Sequence, residues 1–230
     1  MLKLEDVVIA NDAFELFAEL EVPTGTKAAI IGPSGAGKST LIGGIAGFME
    51  TRRGRILWNG RAVEQAPPGD RPISMLFQDG NLFPHLSIAD NVGLGISARL
   101  GLTRAQTAQV EAALARVGLD GMGARKPAAL SGGQQSRAAL ARVLVQNRPL
   151  ILLDEPFAAL GPALKRDMST LVGELAREND ATLMMVSHDP EDAKLLADSA
   201  ILVADGRAHA PEPVTDFFEN PPSALKAYLG

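Results

Sequence analysis

Nine consecutive residues near the N-terminus have the types and spacing that bind a chain of phosphates. They fit the pattern Gly-x4-Gly-Lys-Ser/Thr, between one apolar run at residues 28–31 and another at 41–48. Glycine lets successive backbone N–H groups turn toward one anion, because it has no side chain and tolerates positive φ. A helix that begins there adds unpaired N–H groups and the positive end of its dipole. The stretch therefore predicts a phosphate-binding loop between a strand and a helix.

Two side chains of this stretch have chemical roles of their own. Lys38 supplies a point charge for the outer phosphates, and the Ser39 hydroxyl is placed to ligate Mg²⁺. The alternative is a chance glycine-rich turn before a helix, which the complete pattern and both flanks disfavour. The predicted phosphate-binding residues are Gly32, Pro33, Ser34, Gly35, Ala36, Gly37, Lys38, Ser39 and Thr40.

A pair of carboxylates follows the continuous apolar run at residues 150–153. Such a run is typical of a parallel strand buried on both faces, so Asp154 and Glu155 are expected where ligands bind an open α/β sheet. An aspartate there can hold Mg²⁺ through water, and a glutamate can orient or deprotonate an attacking water. The alternative is a solvated acidic turn, which the phosphate loop in the same chain disfavours.

A second anion-binding turn is predicted at Ser131, Gly132, Gly133 and Gln134. A serine cap and two glycines open a helix, so backbone N–H groups and the helix dipole again favour a phosphate. Taken alone, such a stretch is usually only a loop-to-helix start. Its place about twenty residues before the acidic strand end strengthens the functional interpretation.

Alternation of buried runs and amphipathic stretches predicts an α/β fold with a parallel sheet. Strands are expected at residues 2–8, 17–22, 28–31, 55–58, 73–77, 150–153, 182–186 and 200–203. Helices are expected at residues 41–48, 103–117, from Ser131 onward, 164–178, 190–196 and near the C-terminus. Asn59-Gly60 predicts a tight hairpin turn, and Trp58 is expected to pack in the core rather than stack on a base.

Charge and composition exclude several classes of protein. The formal net charge of −5 argues against a nucleic-acid partner, since general nucleic-acid binders carry a basic stripe. The chain has no cysteine, which excludes disulfides and thiolate metal sites. The N-terminus turns acidic at Glu5 and Asp6, unlike a signal peptide, and no apolar run reaches the roughly 18 residues that span a bilayer. Any membrane association is therefore expected through a partner protein.

Together the motifs resemble the ATP-binding subunits of ABC transporters over essentially the whole chain. The matching positions, in the family's order, are residues 32–40, Gln78, 130–134, 152–156 and His188. The resemblance implies a P-loop NTPase with a mainly parallel core, an antiparallel β subdomain, and a helical subdomain at about residues 79–148 that carries the signature motif. All of this forms one nucleotide-binding domain, residues 1–230.

The resemblance also implies residue roles. Residues 32–40 correspond to the Walker A loop, in which Lys38 is catalytic. Gln78 corresponds to the catalytic residue of the glutamine loop. Residues 130–134 correspond to the ABC signature. Glu155 becomes the catalytic base and His188 the sensor of the γ-phosphate. ATP and Mg²⁺ are the implied cofactors, with Ser39, Gln78 and Asp154 as metal ligands.

Partners follow from the same resemblance. Two subunits stack head to tail, so that each ATP lies between one Walker A loop and the other copy's Ser131. The homodimer sits peripherally on the cytoplasmic face of the inner membrane and docks on integral-membrane permease subunits. A periplasmic or surface solute-binding protein acts through the permease.

The chain departs from the family pattern in three places. Gly161 stands where an aspartate usually ties hydrolysis to the other site of the dimer. The signature continues Gln135-Ser136 where the family has Arg-Gln. No aromatic residue stands at the usual adenine-stacking position near Ala10 or Asn11, and Phe14 is the nearest candidate.

Within the family, the chain resembles importer subunits. Residues 77–87 are similar to the segment that docks a permease coupling helix, and residues 218–223 are similar to the tail of short subunits. Residues 74–78, 91–95, 185–188 and 202–207 are most similar to the subunits of thiamine (thiamine pyrophosphate) importers. The ATPase does not touch the cargo, so importers of iron, polyamines or molybdate stay open, as do a non-transport ABC ATPase and a non-catalytic ATP-gated scaffold.

Overall fold

The computed structural model describes residues 1–11, 14–99, 101–222 and 226. The strands of this part of the chain are β1 (Leu2–Asn11), β2 (Phe14–Val22), β3 (Lys27–Ile31), β4 (Glu50–Trp58), β5 (Arg61–Ala62), β6 (Ile73–Leu76), β7 (Leu150–Asp154), β8 (Thr182–Val186), β9 (Ser199–Ala204), β10 (Arg207–Ala208) and β11 (Glu212–Pro213). Its α-helices are α1 (Lys38–Ala46), α2 (Ile88–Gly93), α3 (Arg104–Arg116), α4 (Gly132–Leu144), α5 (Pro162–Glu178), α6 (Pro190–Leu196) and α7 (Val214–Glu219).

Five parallel strands form the core in the order β9-β3-β8-β7-β6. Strand β7 explains the continuous apolar run: Leu150 and Leu152 pack in one core cluster, while Ile151 and Leu153 pack in the cluster on the other face. A strand covered on both faces has no solvent side and so shows no alternation of polar residues. The predicted α/β fold with a mainly parallel core is confirmed.

An antiparallel sheet extends the parallel core. β1 pairs with β2 on one side and β4 on the other, and β10 joins this sheet to β9. The turn from β4 to β5 has positive φ at both Asn59 (49°) and Gly60 (79°), as a two-residue hairpin requires. Trp58 is 8% exposed and lies in the core, so both predictions for this hairpin are confirmed.

Helix α1 packs closely on the antiparallel sheet, and a glycine allows it. A Cβ atom on Gly44 would lie 2.5 Å from Cδ1 of Ile9 in β1. Glycine inside a helix costs about 1 kcal/mol relative to alanine, and close packing offsets that cost. The helix begins at Lys38, three residues earlier than the apolar pattern predicts.

In the described residues between β6 and β7 the chain forms helices α2, α3 and α4. Thr103 begins α3 and Ser131 begins α4, each with a complete capping box. Helix α2 was not predicted from the sequence: it has only six residues, too few to show a helical period. The separate helical subdomain at about residues 79–148 stays a prediction.

The C-terminal helix is present as α7. Ser223, the last residue of the importer-like tail at residues 218–223, lies outside the described residues. None of the helices in the described residues is long and apolar enough to cross a membrane.

Candidate functional site

The loop between β3 and α1 has the backbone that a phosphate cradle needs. Gly35 and Gly37 have φ of 75° and 104°, values that other residues rarely adopt. A Cβ atom on Gly32 would lie 2.0 Å from the carbonyl oxygen of Val203, so only glycine fits there. Because these glycines let the chain turn back tightly into α1, the N–H groups at the start of the helix are directed toward one point.

Lys38 lies across this loop. Its ammonium donates to the carbonyl oxygens of Gly32 and Pro33, both at 2.8 Å. Burial lowers the pKa of Lys38, while the charges of Glu155 and Asp154 act in the opposite direction. The cation therefore stands among partial and full negative charges, where the outer phosphates of a nucleotide would stabilise it further.

Asp154 ends strand β7 with its side chain buried, at 6% exposure. Burial raises the pKa of this carboxyl group, a hydrogen bond with Ser39 lowers it, and the neighbouring charge of Glu155 raises it. Its Oδ1 atom has no hydrogen-bond partner within the described residues. An unpaired, buried carboxylate oxygen beside a hydroxyl is a donor set that fits Mg²⁺, so the predicted ligands are chemically suited to that ion.

Three predicted catalytic side chains converge beside Asp154. The Oε2 atom of Glu155 lies 3.3 Å from Nδ1 of His188 and 3.4 Å from Nε2 of Gln78. They follow β7, β8 and β6, which are neighbours in the sheet, so their carboxyl ends bring the side chains together. The structure thus places Gln78, Glu155 and His188 in one cluster at the carboxyl edge of the sheet, where Asp154 and Glu155 were expected.

The backbone of Glu155 is strained. Its φ is 47°, a left-handed value that is uncommon outside glycine, asparagine and aspartate. Its N–H donates to the carbonyl oxygen of Val186 in the adjacent strand β8 at 3.1 Å. This hydrogen bond holds the turn that aims the carboxylate at His188. Strain of this kind concentrates at functional sites.

The second predicted anion-binding turn is solvent-facing. Ser131 and Gly132 are exposed, and a Cβ on Gly132 would meet nothing within 4 Å. The Ser131 hydroxyl accepts from the Gln134 N–H at 3.4 Å, and the Gln134 side chain accepts from the Ser131 N–H at 2.9 Å. In the part of the chain that the structure describes, no hydrogen bond or ion pair joins this turn to the phosphate loop.

Two of the departures from the family pattern have clear local structures. Phe14 packs over the phosphate loop, with its Cε1 atom 2.7 Å from the position of a Cβ on Gly37. Its stacking on adenine stays a prediction. Gly161 is the N-cap of α5, and it has no side chain that could cap the helix. A Cβ atom added at this position would meet nothing within 4 Å.

An arginine that no sequence motif marks holds the loop after Gln78. Arg142 of α4 donates to the carbonyl oxygens of Gly80 and Asn81, both at 2.8 Å. Burial lowers the pKa of its guanidinium group. No motif marks this residue, because its acceptors are backbone atoms about sixty residues away in the chain. It links the glutamine loop to the helix that begins at Ser131.

A groove of about 1010 Å³ lies beside that loop. Phe48 and Phe83 are about half exposed at its edge, and Phe48 contacts Phe77 edge to face with ring centres 4.9 Å apart. Exposed aromatic side chains beside a groove are typical of a protein-docking surface.

An ATP-binding cassette is defined by this fold together with three features: the phosphate loop, the acidic end of β7, and the serine-capped turn that begins α4. Residues 18–158 match the family model described as "ABC transporter", and the chain belongs to that family. The prediction of an ABC-type ATPase that binds ATP is therefore confirmed. The roles of individual residues stay predictions.

Within the ABC transporter family, the chain is similar over its full length to ATP-binding proteins of thiamine import. The chain is 56% identical over 230 residues, the whole of both chains, to the "Thiamine import ATP-binding protein ThiQ" of Cereibacter sphaeroides. It is 55% identical over the same length to the protein of that name from a Ruegeria species. The predicted resemblance to thiamine importer subunits is confirmed.

A solved structure has the same fold. The dimer of the ATP-binding cassette MJ0796 in a post-hydrolysis state, bound to ADP and Pi, superposes with a TM-score of 0.83 at 28% identity. The match covers 93% of this chain and 99% of that one.

Proposed function

We propose that this chain hydrolyses ATP in a homodimer and thereby drives import of thiamine or thiamine pyrophosphate through a membrane permease. The observation that carries the cargo assignment is the full-length similarity to thiamine import ATP-binding proteins. The convergence of Gln78 and His188 on the carboxylate of Glu155 supports hydrolysis.

The phosphate loop binds the triphosphate through backbone N–H groups, and Lys38 neutralises its outer charge. Ser39, Gln78 and Asp154 would hold Mg²⁺, which offsets the charge of the β- and γ-phosphates when bound. Glu155 accepts a proton from water, whose oxygen attacks the γ-phosphorus. The bond to the bridging oxygen breaks and ADP leaves. His188 orients Glu155 and the γ-phosphate.

A second copy supplies the missing half of the site. Ser131 has a hydroxyl group and lies at the N-terminus of α4. Within the described residues, no hydrogen bond or ion pair joins it to the phosphate loop of the same chain. Ser131 of the partner subunit would reach the γ-phosphate of this copy's ATP in a head-to-tail dimer. The dimeric MJ0796 cassette supports this arrangement.

The permease would dock in the groove beside the glutamine loop. Closure of the dimer would move Gln78 and Gly80, and with them the docked permease segment. Docking there would hold the chain peripherally on the cytoplasmic face of the inner membrane, and a solute-binding protein would act through the permease.

A transport assay tests the proposal. Cells that lack the gene should lose uptake of labelled thiamine and regain it with the wild-type chain but not with Glu155→Gln. Loss of iron, polyamine or molybdate uptake with thiamine uptake intact would contradict the cargo. Single-turnover hydrolysis separates this proposal from an ATP-gated scaffold, which would bind ATP without cleaving it.

A further inference from the structure

A cluster of charged side chains lies between the ends of β7 and β8. The ammonium of Lys165, in the first turn of α5, lies 2.6 Å from Oδ2 of Asp189 and 2.9 Å from Oδ1 of Asp192. The Ser187 hydroxyl donates to the other oxygen of Asp192 at 2.7 Å. It also accepts from the N–H of Asp189 at 3.1 Å. One lysine thus connects the helix after β7 to the loop after β8.

This cluster holds both neighbours of His188. Ser187 is 3% exposed, and its N–H donates to the carbonyl oxygen of Ile30 at 3.3 Å. Asp189 caps helix α6 by accepting from the N–H of Glu191 at 3.0 Å. With the residues on each side restrained, the backbone of His188 has little freedom. Its imidazole is thereby presented to the carboxylate that follows β7.

The charge of Lys165 is needed to keep this arrangement. Burial acts to lower the pKa of Lys165, but the hydrogen bonds to Asp189 and Asp192 and the charges of these carboxylates together raise it. The pairing with Lys165 lowers the pKa of Asp189. Asp192 is only 6% exposed, so loss of the lysine would leave a buried carboxylate with one hydroxyl partner. Such a carboxylate is costly, and the loop would move to bring it to water.

The cluster is half-buried, because only Asp192 is fully buried while Lys165 and Asp189 are partly exposed. An apolar side chain could fill the same volume, whereas these directed ion pairs restrict the loop to one geometry. Lys165 lies ten residues beyond Glu155 at the carboxyl edge that carries the nucleotide site. Lys165 therefore fixes the geometry of the loop from Ser187 to Asp189.

We propose that Lys165 is a positioning residue for ATP hydrolysis, which acts through Asp189, Asp192 and Ser187 to hold His188 against Glu155. Lys165 itself does not touch the nucleotide. The inference rests on the proposed catalytic role of His188.

The test compares Lys165→Met, which removes the charge at similar length, with Lys165→Arg, which keeps it. Lys194→Met is the matched control, because Lys194 of α6 forms an exposed ion pair with Glu191 at 2.9 Å. The readouts are kcat and KM for ATP and the ring ¹H–¹⁵N NMR signals of His188. The chain has only three histidines, so assignment is simple.

We expect Lys165→Met to lower kcat about tenfold to a hundredfold with KM within about twofold of wild type, since small misplacements of reacting groups have such effects. The His188 ring signals should shift, and Lys165→Arg should restore most of both. Lys194→Met should resemble wild type. Asp189→Asn keeps the helix cap but weakens the ion pair, so its kcat and its His188 signals should lie between those of wild type and Lys165→Met. This variant replaces Lys165→Met in the test if Lys165→Met does not fold.

Unchanged kcat and unchanged His188 signals in folded Lys165→Met or Asp189→Asn would overturn the inference. The inference would also be overturned if kcat per folded molecule and the His188 ring signals were unchanged, so that the loss of activity only reflected a smaller amount of folded protein. His188→Ala reports on the proposed function separately. If that variant hydrolyses ATP normally, the catalytic role of His188 fails, whatever the NMR spectra of the lysine variants show.

Discussion

The carboxylate of Glu155 lies 3.3 Å from Nδ1 of His188, although the two residues are 33 positions apart and follow different strands. The contact is made because β7 and β8 are parallel neighbours in register, with Asp154 opposite Val186. The next residues therefore leave the sheet side by side.

Replacing Glu155 with glutamine should stop hydrolysis and leave ATP binding intact. The amide keeps the shape of the side chain but cannot accept a proton from water, so we expect kcat to fall at least about a hundredfold. Filter binding of labelled ATP and steady-state phosphate release with the permease measure the two properties. Normal steady-state hydrolysis in this variant would rule out Glu155 as the base.

Ser131→Ala should affect both a helix and the site. Loss of an N-cap costs about 0.5–2 kcal/mol. If Ser131 of the partner subunit contacts the nucleotide as proposed, loss of its hydroxyl also removes a donor to the γ-phosphate. Thr103→Ala is the matched control, because Thr103 caps α3 with the same capping box. Denaturant unfolding should show similar destabilisation in both variants, whereas ATPase activity should fall only in Ser131→Ala. Equal activity in the two would contradict the role of Ser131 at the nucleotide.

Gly161→Asp should stabilise the chain slightly. An aspartate at the N-cap of α5 can accept from the first turn, and its Cβ lies in open space, so we expect a gain of a few tenths of a kcal/mol. Thermal unfolding measures it. If the aspartate also links the two sites of the dimer, the Hill coefficient for ATP hydrolysis should rise. A lower unfolding midpoint would show that this cap geometry does not accept a side chain.

Gly44→Ala should destabilise the contact between α1 and β1. The new methyl group would lie 2.5 Å from Ile9, and overpacking costs about 1–3 kcal/mol against a gain of about 1 kcal/mol in helix propensity. Gly69→Ala is the control, since nothing lies within 4 Å of its Cβ position. Chemical denaturation should find a net loss of about 1 kcal/mol for Gly44→Ala only. Equal stabilities would mean that the helix moves without cost.

Features that could be predicted from the sequence are local. Both helix caps, at Thr103 and Ser131, are decided by residues three positions apart, and the glycines of the phosphate loop form one short pattern. The buried strands were recognisable because burial on both faces requires an unbroken apolar run. The position of Glu155 at the carboxyl edge of the sheet was predictable because the buried run ends immediately before Asp154, but its contact with His188 depends on the strand order and required the structure.

Other features required the structure because they join distant parts of the chain. Lys165 reaches Asp189 across 24 positions, and Arg142 reaches Gly80 across 62. An isolated lysine or arginine in a helix indicates only a solvated face. Helix α2 was missed because its main determinants are a Ser87 cap and packing in the core, and six residues show no period.

The central claim is that two copies of the chain enclose each ATP. A crystal structure of Glu155→Gln with ATP and Mg²⁺ tests it most directly. We predict a head-to-tail dimer in which the γ-phosphate contacts Lys38 of one copy and, at about 3 Å, the hydroxyl of Ser131 of the partner subunit. ATP bound at Lys38 with Ser131 of every copy facing solvent would contradict the claim.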